Sequence, residues 1–461
     1  MFSLKGKYAE AVIYTDNVQD SCISQIYGFL NNEAFKDLKI RIMPDTHSGE
    51  GAVIGFTSTI NDKVIPNVVG VDIGCGIYLV KLKEKSIDLA KLDEVIKNYV
   101  PSGARIHKKA HKYNSKIDLS KLRCAKNIGL SKAEYDLGTL GGGNHFLEGN
   151  IDKNGNIYLV VHTGSRYLGK QVAEYYQELA YKTLKKNYIE NAKLLIIEKY
   201  KAEGREKEIQ TALDKIKVPK INKALAYLEG SNMDDYIHDI DIVQKYSSLN
   251  RKAIMDIIVE KMGVTVIDSF ETIHNYIDVE NMIIRKGAIK ADKGERVIIP
   301  ISRKDGSIIA VGKGNPDWNN SAPHGAGRLM SRAEAKSTLK LEDDLEDMKG
   351  IYSTTVNEAT LDESSRAYKP LKEILDNITD TVDVIEVIKP IYNYKDTSEN
   401  RTLIFIEERK EKKIIRQKAL EKAESIMKER NINCDNCTFV KTCKKRICKI
   451  KEQIVLEISK Q

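Results

Sequence analysis

The sequence predicts an α+β fold, and three features of the text predict it. Strand-like runs with Gly and Asp turns occupy both ends of the first 395 residues, a long helical stretch separates them, and a charged tail follows. Residues 1 to 100 alternate AVIYT, LKIRIMP, AVIGFTSTI, VIPNVVGVDIG and IYLVKL with turn residues, then close on the helical pattern SIDLAKLDEVIKNYV. Short runs rich in β-branched residues favour strands because such side chains pack well on a pleated surface. Between residues 130 and 169 the strand candidate NIYLVVH lies between two glycine-rich turns, LGTLGGGNHF and HTGSRYLG. Loops of that kind, set on a rigid scaffold, are where function concentrates. From Lys170 to about Lys261, Glu, Lys, Tyr and Leu recur at helical spacing with no Pro before Pro219, so this segment is expected to be mostly helical. VTVIDSFETIHNYI, MIIRKGAIKA, RVIIPIS and SIIAVGKGN return to strands, and LKEILDNITDTVDVIEVIKPIYNYK reads as a helix followed by a last strand. Residues 405 to 430 read as a charged helix without an apolar stripe. The domain boundary is placed at Lys395, giving one large domain over 1–395 and a basic extension over 396–461.

With 461 residues, 41% of them apolar, the chain is long enough to bury a large core. No run approaches the roughly 18 consecutive apolar residues of a membrane span. The opening MFSLKGKYAEAV lacks the apolar core of a secretory signal, so membrane and secreted classes are not expected. Lys and Arg number 74 against 66 Asp and Glu, and the surplus is concentrated in residues 396–461, which hold 17 against 11. Such a balance permits nucleic-acid binding without requiring it. Cys22, Cys75 and Cys124 are scattered while Cys434, Cys437, Cys443 and Cys448 cluster, which is not a secreted disulfide framework. A reducing cytoplasm is the expected compartment.

Chemistry concentrates in a few turns. In VGVDIGCGI, Asp72 and Cys75 are flanked by Gly70, Gly74 and Gly76, which lets the backbone aim a carboxylate and a thiolate at one point. Alone, this pair reads as a strand-end turn with an inert buried Cys. GTLGGGNHFLEG adds Asn144, His145 and Glu148, VHTGSRYLG adds His162, ETIHNYI adds His274, and NNSAPHGAGRLMSR adds His324 ahead of another glycine-rich turn with Arg328. GTLGGG lacks the G-x-G-x-x-G spacing and the acidic residue about 20 positions on, so a dinucleotide-binding fold is not expected. The joint set of Asp72, Cys75, His145, His162 and His274 in turns and strand ends is much harder to obtain by chance than any one member. Mixed O, N and S donors suit manganese, cobalt or zinc better than magnesium. If the Cys sulfur bridges, the set can hold two cations roughly 3.5 to 4 Å apart, as in phosphoryl-transfer centres. Arg166, Arg285, Lys286 and Arg328 are expected to neutralise phosphates nearby. His107, His111 and His238 read as solvated, and His47 in MPDTHSGEG stays open.

These residues resemble the RtcB-type RNA ligases. The likeness runs in order through MPDTHSGEGAVIG, VIPNVVGVDIGCG, LGTLGGGNHFLE, HTGSRYLG, NMDDYIHDIDIVQKYSSLNR, ETIHNY, RKGAI, GKGNPDWNNSAPHGAGRLMSR, DESSRAYK and KPIYNYK, covering residues 1 to 395. The resemblance implies a single α+β domain of mixed β-sheets flanked by helices around a metal-bearing cleft. It implies two manganese ions held by Asp72, Cys75, His145, His162 and His274, with Cys75 bridging. It implies GTP as cosubstrate and His324 as the histidine that becomes covalently guanylylated, with Gly325, Ala326, Gly327 and Arg328 of the same motif beside the nucleotide. Asn144 matches a position near the guanylate phosphate, Glu148 one near the ribose, and Tyr368, Lys395 and Ser302 positions near the base. The implied reaction joins RNA 3′-phosphate or 2′,3′-cyclic phosphate ends to 5′-hydroxyl ends, in tRNA splicing or RNA repair, by a monomer. A dinuclear phosphohydrolase that opens cyclic phosphates, and an RNA-binding protein without activity, are the competing readings.

Two departures stand out: MPDTHSGEG for the usual valine and proline in that motif, and HTGSRYLG, where Tyr167 replaces a small residue and is expected to narrow the approach to the site. The larger departure is the tail. Cys434, Cys437, Cys443 and Cys448 have spacings that can close a tetrahedral zinc site or hold an iron–sulfur cluster, amid Lys and Arg suited to RNA backbone.

Overall fold

The computed structural model describes residues 1–217 and 221–397; the charged segment 405–430 and the Cys434, Cys437, Cys443, Cys448 set lie outside the described residues. In chain order the strands are β1 (Phe2–Lys5), β2 (Glu10–Ile13), β3 (Ile40–His47), β4 (Ile54–Thr59), β5 (Lys63–Val64), β6 (Gly76–Leu82), β7 (Phe146–Ile151), β8 (Ile157–Thr163) and β9 (Leu228–Glu229). After them come β10 (Val266–Ile273), β11 (Asn275–Asp278), β12 (Ile283–Lys286), β13 (Ala288–Lys290), β14 (Arg296–Ser302), β15 (Gly306–Gly312), β16 (Ser321–Pro323) and β17 (Val382–Lys395). They form a six-stranded sheet in the order β1-β2-β3-β4-β12-β11 and a seven-stranded sheet in the order β10-β6-β8-β7-β17-β15-β14. Two ribbons, β13-β16 and β5-β9, complete the strand pairing. The fold is α+β with helices around the sheets; the six-stranded sheet is mixed, its β2–β3 pair being parallel, whereas the seven-stranded sheet is antiparallel throughout and in that respect departs from the expected mixed sheets.

The helical middle segment consists chiefly of two long helices, Arg166–Ala202 and Gly230–Met262. The second stops at Gly263, whose φ of +71° closes the last turn onto the Val259 carbonyl, a conformation that suits glycine. Its apolar face spans two cores. Tyr236, Ile240 and Val243 pack with Val172, Ala173 and Tyr176 of the first long helix, whereas Ile254 and Ile258 pack against Val80 and Val161 of the seven-stranded sheet. Each such buried aliphatic side chain contributes about 1.5 to 3 kcal/mol.

Two elements differ from expectation or explain it. VIPNVVG, expected as a strand, is mostly the short helix Pro66–Val69, all four residues buried. Proline fits the first helical turn, and burial on every side removes the polar positions that would have revealed the helical period. β17 pairs antiparallel with β15 through Val382–Ile388 and with β7 through Lys389–Lys395. Its Pro390 sits at a register shift, where a missing N–H is tolerated inside a sheet.

Candidate active site

Strand order brings the sequence-selected ligand types together. β6 lies between β10 and β8, so Cys75 just before β6, His162 near the end of β8 and His274 just after β10 meet at one edge. Cys75 Sγ is 3.2 Å from His162 Nε2 and 3.6 Å from His145 Nε2. His162 Nε2 lies 3.2 Å from His274 Nε2, and Asp72 Oδ2 lies 2.8 Å from His145 Nε2. The donor atoms of Cys75, His162 and His274 fall within 4.8 Å of one another, as do those of Asp72, Cys75 and His145, so Cys75 belongs to both groups.

The tautomers follow from the partners on the far side of each ring. His145 Nδ1 donates to the Leu140 carbonyl at 2.9 Å and His162 Nδ1 to the Asn144 carbonyl at 3.1 Å. A carbonyl accepts only, so His162 Nε2 presents a lone pair to the cluster, whereas His145 Nε2, 2.8 Å from Asp72 Oδ2, shares a proton with that carboxylate that a bound cation would displace. Burial and neighbouring histidines hold the pKa values of His162 and His274 well below the ordinary range. Burial works against charge on Asp72, yet the His145 ring outweighs it and holds the carboxyl at about 2. Burial and Asp72 push the Cys75 thiol up, a trend that a bound cation reverses. Imidazole nitrogens grouped around a buried sulfur and a carboxylate, with His274 Nδ1 left without a hydrogen-bond partner among the described residues, fit one or two borderline cations.

The Gly230–Met262 helix fastens the loops that carry this cluster. Its Arg251, fully buried, donates to the carbonyls of Gly74 and Thr163 at 2.6 and 2.8 Å and pairs with Glu271 at 2.5 Å. Asn250 accepts from the N–H groups of Gly138 and Thr139 and donates to the Thr139 and Gly164 carbonyls. A Cβ at Gly164 would sit 1.9 Å from Asp72 Oδ1, so any larger residue there would push the Asp72 carboxylate out of its place in the cluster.

His274 also faces a cleft of about 720 Å³, whose walls include Asn144, Glu148, His162, Ser302, Tyr368 and Lys395. His324, Gly325, Ala326, Gly327 and Arg328 line the same cleft. The rings of His274 and His324 are 4.8 Å apart. His324 Nδ1 donates to Asp45 Oδ2 at 2.6 Å, and the N–H groups of His324 and Gly325 converge on the same oxygen at 3.1 and 3.2 Å. That bond keeps a proton on Nδ1, and Nε2 has no hydrogen-bond partner among the described residues, so in the neutral ring it is Nε2 that carries the lone pair.

The rest of the cleft is lined by buried charged groups around an aromatic ring. Burial raises Glu148 to about 7, against the opposing pull of Asn150, Asn393 and Lys395. Lys395 at the end of β17 pairs with buried Glu363, which also accepts from the Tyr368 hydroxyl at 2.8 Å. Arg328 donates to that hydroxyl at 3.0 Å and stands 4.9 Å from the ring centre. Burial opposes charge on Glu363, but Lys395 and Arg332 hold it at about 2.

Several expectations need correction. Arg285 is fully buried, bonded to Tyr276, Ser321 and the Asn319 carbonyl, and Lys286 donates to the carbonyls of Glu50 and Asn67; both brace the interior, and neither lines the cleft. Arg166 lies at a helix start with φ of +57° and binds Thr139 and the Gly103 carbonyl. Tyr167 is exposed beneath Lys132 and is not among the cleft-lining residues. His107 is half-buried and bonded to the Gly138 carbonyl, His111 caps the turn at Tyr113, and His238 contacts Asp239, so none is simply solvated. His47 lines the cleft, and burial lowers it to about 4. Sequence reasoning passed over Asp45, Arg251, Asn250 and Glu363. All four stood inside quoted motifs, Asp45 in MPDTHSGEGAVIG, Asn250 and Arg251 at the end of NMDDYIHDIDIVQKYSSLNR and Glu363 in DESSRAYK, and Asp45 alone lay two residues from a histidine under consideration.

Comparison with known proteins identifies the family. The sequence matches the family model described as tRNA-splicing ligase RtcB over residues 34–127 and 111–396. It is 29% identical over 391 residues to the RNA-splicing ligase RtcB of Escherichia coli K12, covering 76% of this chain and 88% of that protein. RNA-splicing ligase RtcB1 of Escherichia coli ATCC 25922 is 30% identical with the same coverage. The tRNA-splicing ligase RtcB of Aeropyrum pernix is 26% identical over 469 residues, covering 79% of this chain and 90% of the relative. The cleft with its Cys and His cluster thus sits in a chain matched along most of its length, and the chain belongs to the RtcB family of RNA ligases.

Proposed function

We propose that the protein joins RNA 3′-phosphate or 2′,3′-cyclic phosphate ends to 5′-hydroxyl ends at the expense of GTP, acting on broken or spliced tRNA in the cytoplasm. The observation that carries this reading is the pairing of His324, held in one tautomer by Asp45, with a buried Cys and His cluster one ring away. His324 Nε2 attacks the α-phosphorus of GTP and pyrophosphate leaves. A 2′,3′-cyclic phosphate end is first opened by water, which breaks the P–O2′ bond and leaves a 3′-phosphate and a 2′-hydroxyl; an oxygen of the RNA 3′-phosphate then attacks the guanylyl phosphorus and frees the imidazole. Finally the 5′-hydroxyl attacks the activated 3′-phosphate, forming the phosphodiester and releasing GMP. A neutral imidazole is a competent nucleophile when its other nitrogen is fixed by a carboxylate. Manganese ions held by Asp72, Cys75, His145, His162 and His274 would offset charge on the phosphoryl groups.

In this reading Asn144, with Gly325, Ala326, Gly327 and Arg328, faces the guanylate phosphate, buried Glu148 accepts from the ribose, and Tyr368, Lys395 and Ser302 frame the base. Residues 1–395 are the catalytic domain. Residues 396–461 form a separate module that binds zinc or an iron–sulfur cluster through Cys434, Cys437, Cys443 and Cys448 and adds affinity for RNA. No helix among the described residues is long and apolar enough to cross a membrane. Incubation with manganese and α-³²P-labelled GTP tests the core of the proposal. Acid-labile, alkali-stable label on the protein is the expected result. Absence of label from metal-loaded protein would overturn it in favour of a phosphohydrolase.

A further inference from the structure

A second groove, of about 630 Å³, lies beside the end of the Leu89–Tyr99 helix, the loop that follows it and the end of the Gly230–Met262 helix. Its walls carry Lys97, Arg105, Lys108, Lys109, Lys112 and Lys261 against one carboxylate, Glu260. Some of this charge is internally balanced: Lys97 pairs with Asp93 at 2.7 Å and Lys261 with Glu260 at 2.9 Å. Arg105 donates to the carbonyl and hydroxyl of Ser102. Lys108 and Lys109 are exposed and have no partner among the described residues. Alongside them Tyr99 is 47% exposed, its ring 5.4 Å from the Lys261 ammonium. Cations spread along a groove with an exposed aromatic at its side match a chain of phosphates carrying stackable bases.

The groove is joined to the active cleft through the backbone. Ser102 bridges to Gly141, Gly103 N donates to the Gly141 carbonyl at 3.0 Å, and the Arg166 guanidinium donates to the Gly103 carbonyl at 2.9 Å. Gly141 opens the loop that ends in Asn144 and His145, so one wall of the groove is stitched to the loop that carries those two residues. Ser102 also contacts the hydroxyl of Tyr394, the neighbour of Lys395.

We propose that this groove, lined by Arg105, Lys108 and Lys109 beside Tyr99, holds the sugar–phosphate backbone of the RNA a few nucleotides from the end being joined. The inference rests on the ligase reading above and extends it from the reacting ends to the body of the substrate. Charge alone would also suit an acidic protein, but Tyr99 gives the groove a stacking face that a nucleobase uses.

The test uses the full chain and a fluorescein-labelled RNA 20-mer ending in a 3′-hydroxyl, which cannot react, so binding is read independently of catalysis. Lys108→Glu with Lys109→Glu should weaken binding about tenfold near 100 mM salt and lower the slope of log affinity against log salt by about 1.4, the share of two phosphate contacts on a single strand. Labelling of the same variant by GTP should match wild type, which also reports that it is folded. In wild-type protein, 4-thiouridine placed five to eight nucleotides from the RNA end should crosslink to peptides containing residues 97–112. Unchanged affinity and slope, with crosslinks mapping elsewhere, would overturn the proposal. Failure of the ligase reading would show differently, as absent GTP labelling in wild type with RNA binding intact.

Discussion

The imidazole rings of His274 and His324 lie 4.8 Å apart, inclined at 60°, so the wall that closes the Cys and His cluster also carries the candidate nucleophile. Loss of the cluster and loss of the nucleophile should therefore separate cleanly. Cys75→Ala, which removes the sulfur shared by both ligand groups, is expected to lower bound manganese measured by mass spectrometry and to abolish both labelling by GTP and RNA joining. His324→Ala should keep manganese and GTP binding yet take up no label. Near wild-type joining by Cys75→Ala would refute the dinuclear site.

Asp45→Asn should slow labelling by about 10²- to 10⁴-fold with GTP affinity little changed, because an amide facing Nδ1 no longer enforces the proton on that nitrogen. Single-turnover uptake of label from α-³²P GTP measures the rate. A change confined to GTP affinity would mean that Asp45 shapes the pocket without setting the tautomer.

Glu148 sets a pH dependence whose sign follows from its burial. Its folded carboxyl, raised to about 7 from the ordinary 4.5, holds a proton that the unfolded chain gives up earlier. The stability it contributes is therefore full below 4.5 and is lost as pH rises through about 7. Metal-free wild type should lose melting temperature relative to Glu148→Gln over that interval. Parallel pH profiles for the two proteins would contradict the assignment.

Arg251→Leu leaves the Gly74 and Thr163 carbonyls without their donor and Glu271 without its partner. A loss of about 3 kcal/mol in urea denaturation is expected, together with weaker metal retention, since both carbonyls belong to loops that carry Asp72, Cys75 and His162.

Truncation after Lys395 should spare labelling by GTP and weaken RNA binding, with the deficit shrinking as salt rises. Anaerobically purified full-length protein should contain zinc or iron that the truncated form lacks. Equal metal content and equal RNA affinity in the two forms would leave the tail an ordinary charged appendage.

What could be read in advance followed the length scale of the interaction. Strands such as IYLVVHT and the two long helices are local patterns, and glycine-flanked Asp72, Cys75, His145 and His162 advertise turns with unusual donors. Asp45 and His324 are 279 residues apart, and their meeting depends on how β3 and the segment after β16 approach each other. Arg285 and Lys286 were misjudged for a related reason. A cation next to a glycine looks available for phosphate until the carbonyls that surround it are known.

β17 is the last described strand, yet it is interior to its sheet, holding β7 on one edge and β15 on the other. While a ribosome is still threading residues 382 to 395, those two neighbours have no shared partner and the Lys395 side of the cleft does not exist. A chain cut short before residue 382 therefore lacks both the strand that joins β7 to β15 and the Lys395 side of the cleft, so the cleft is closed by the last stretch of chain to be made among the described strands.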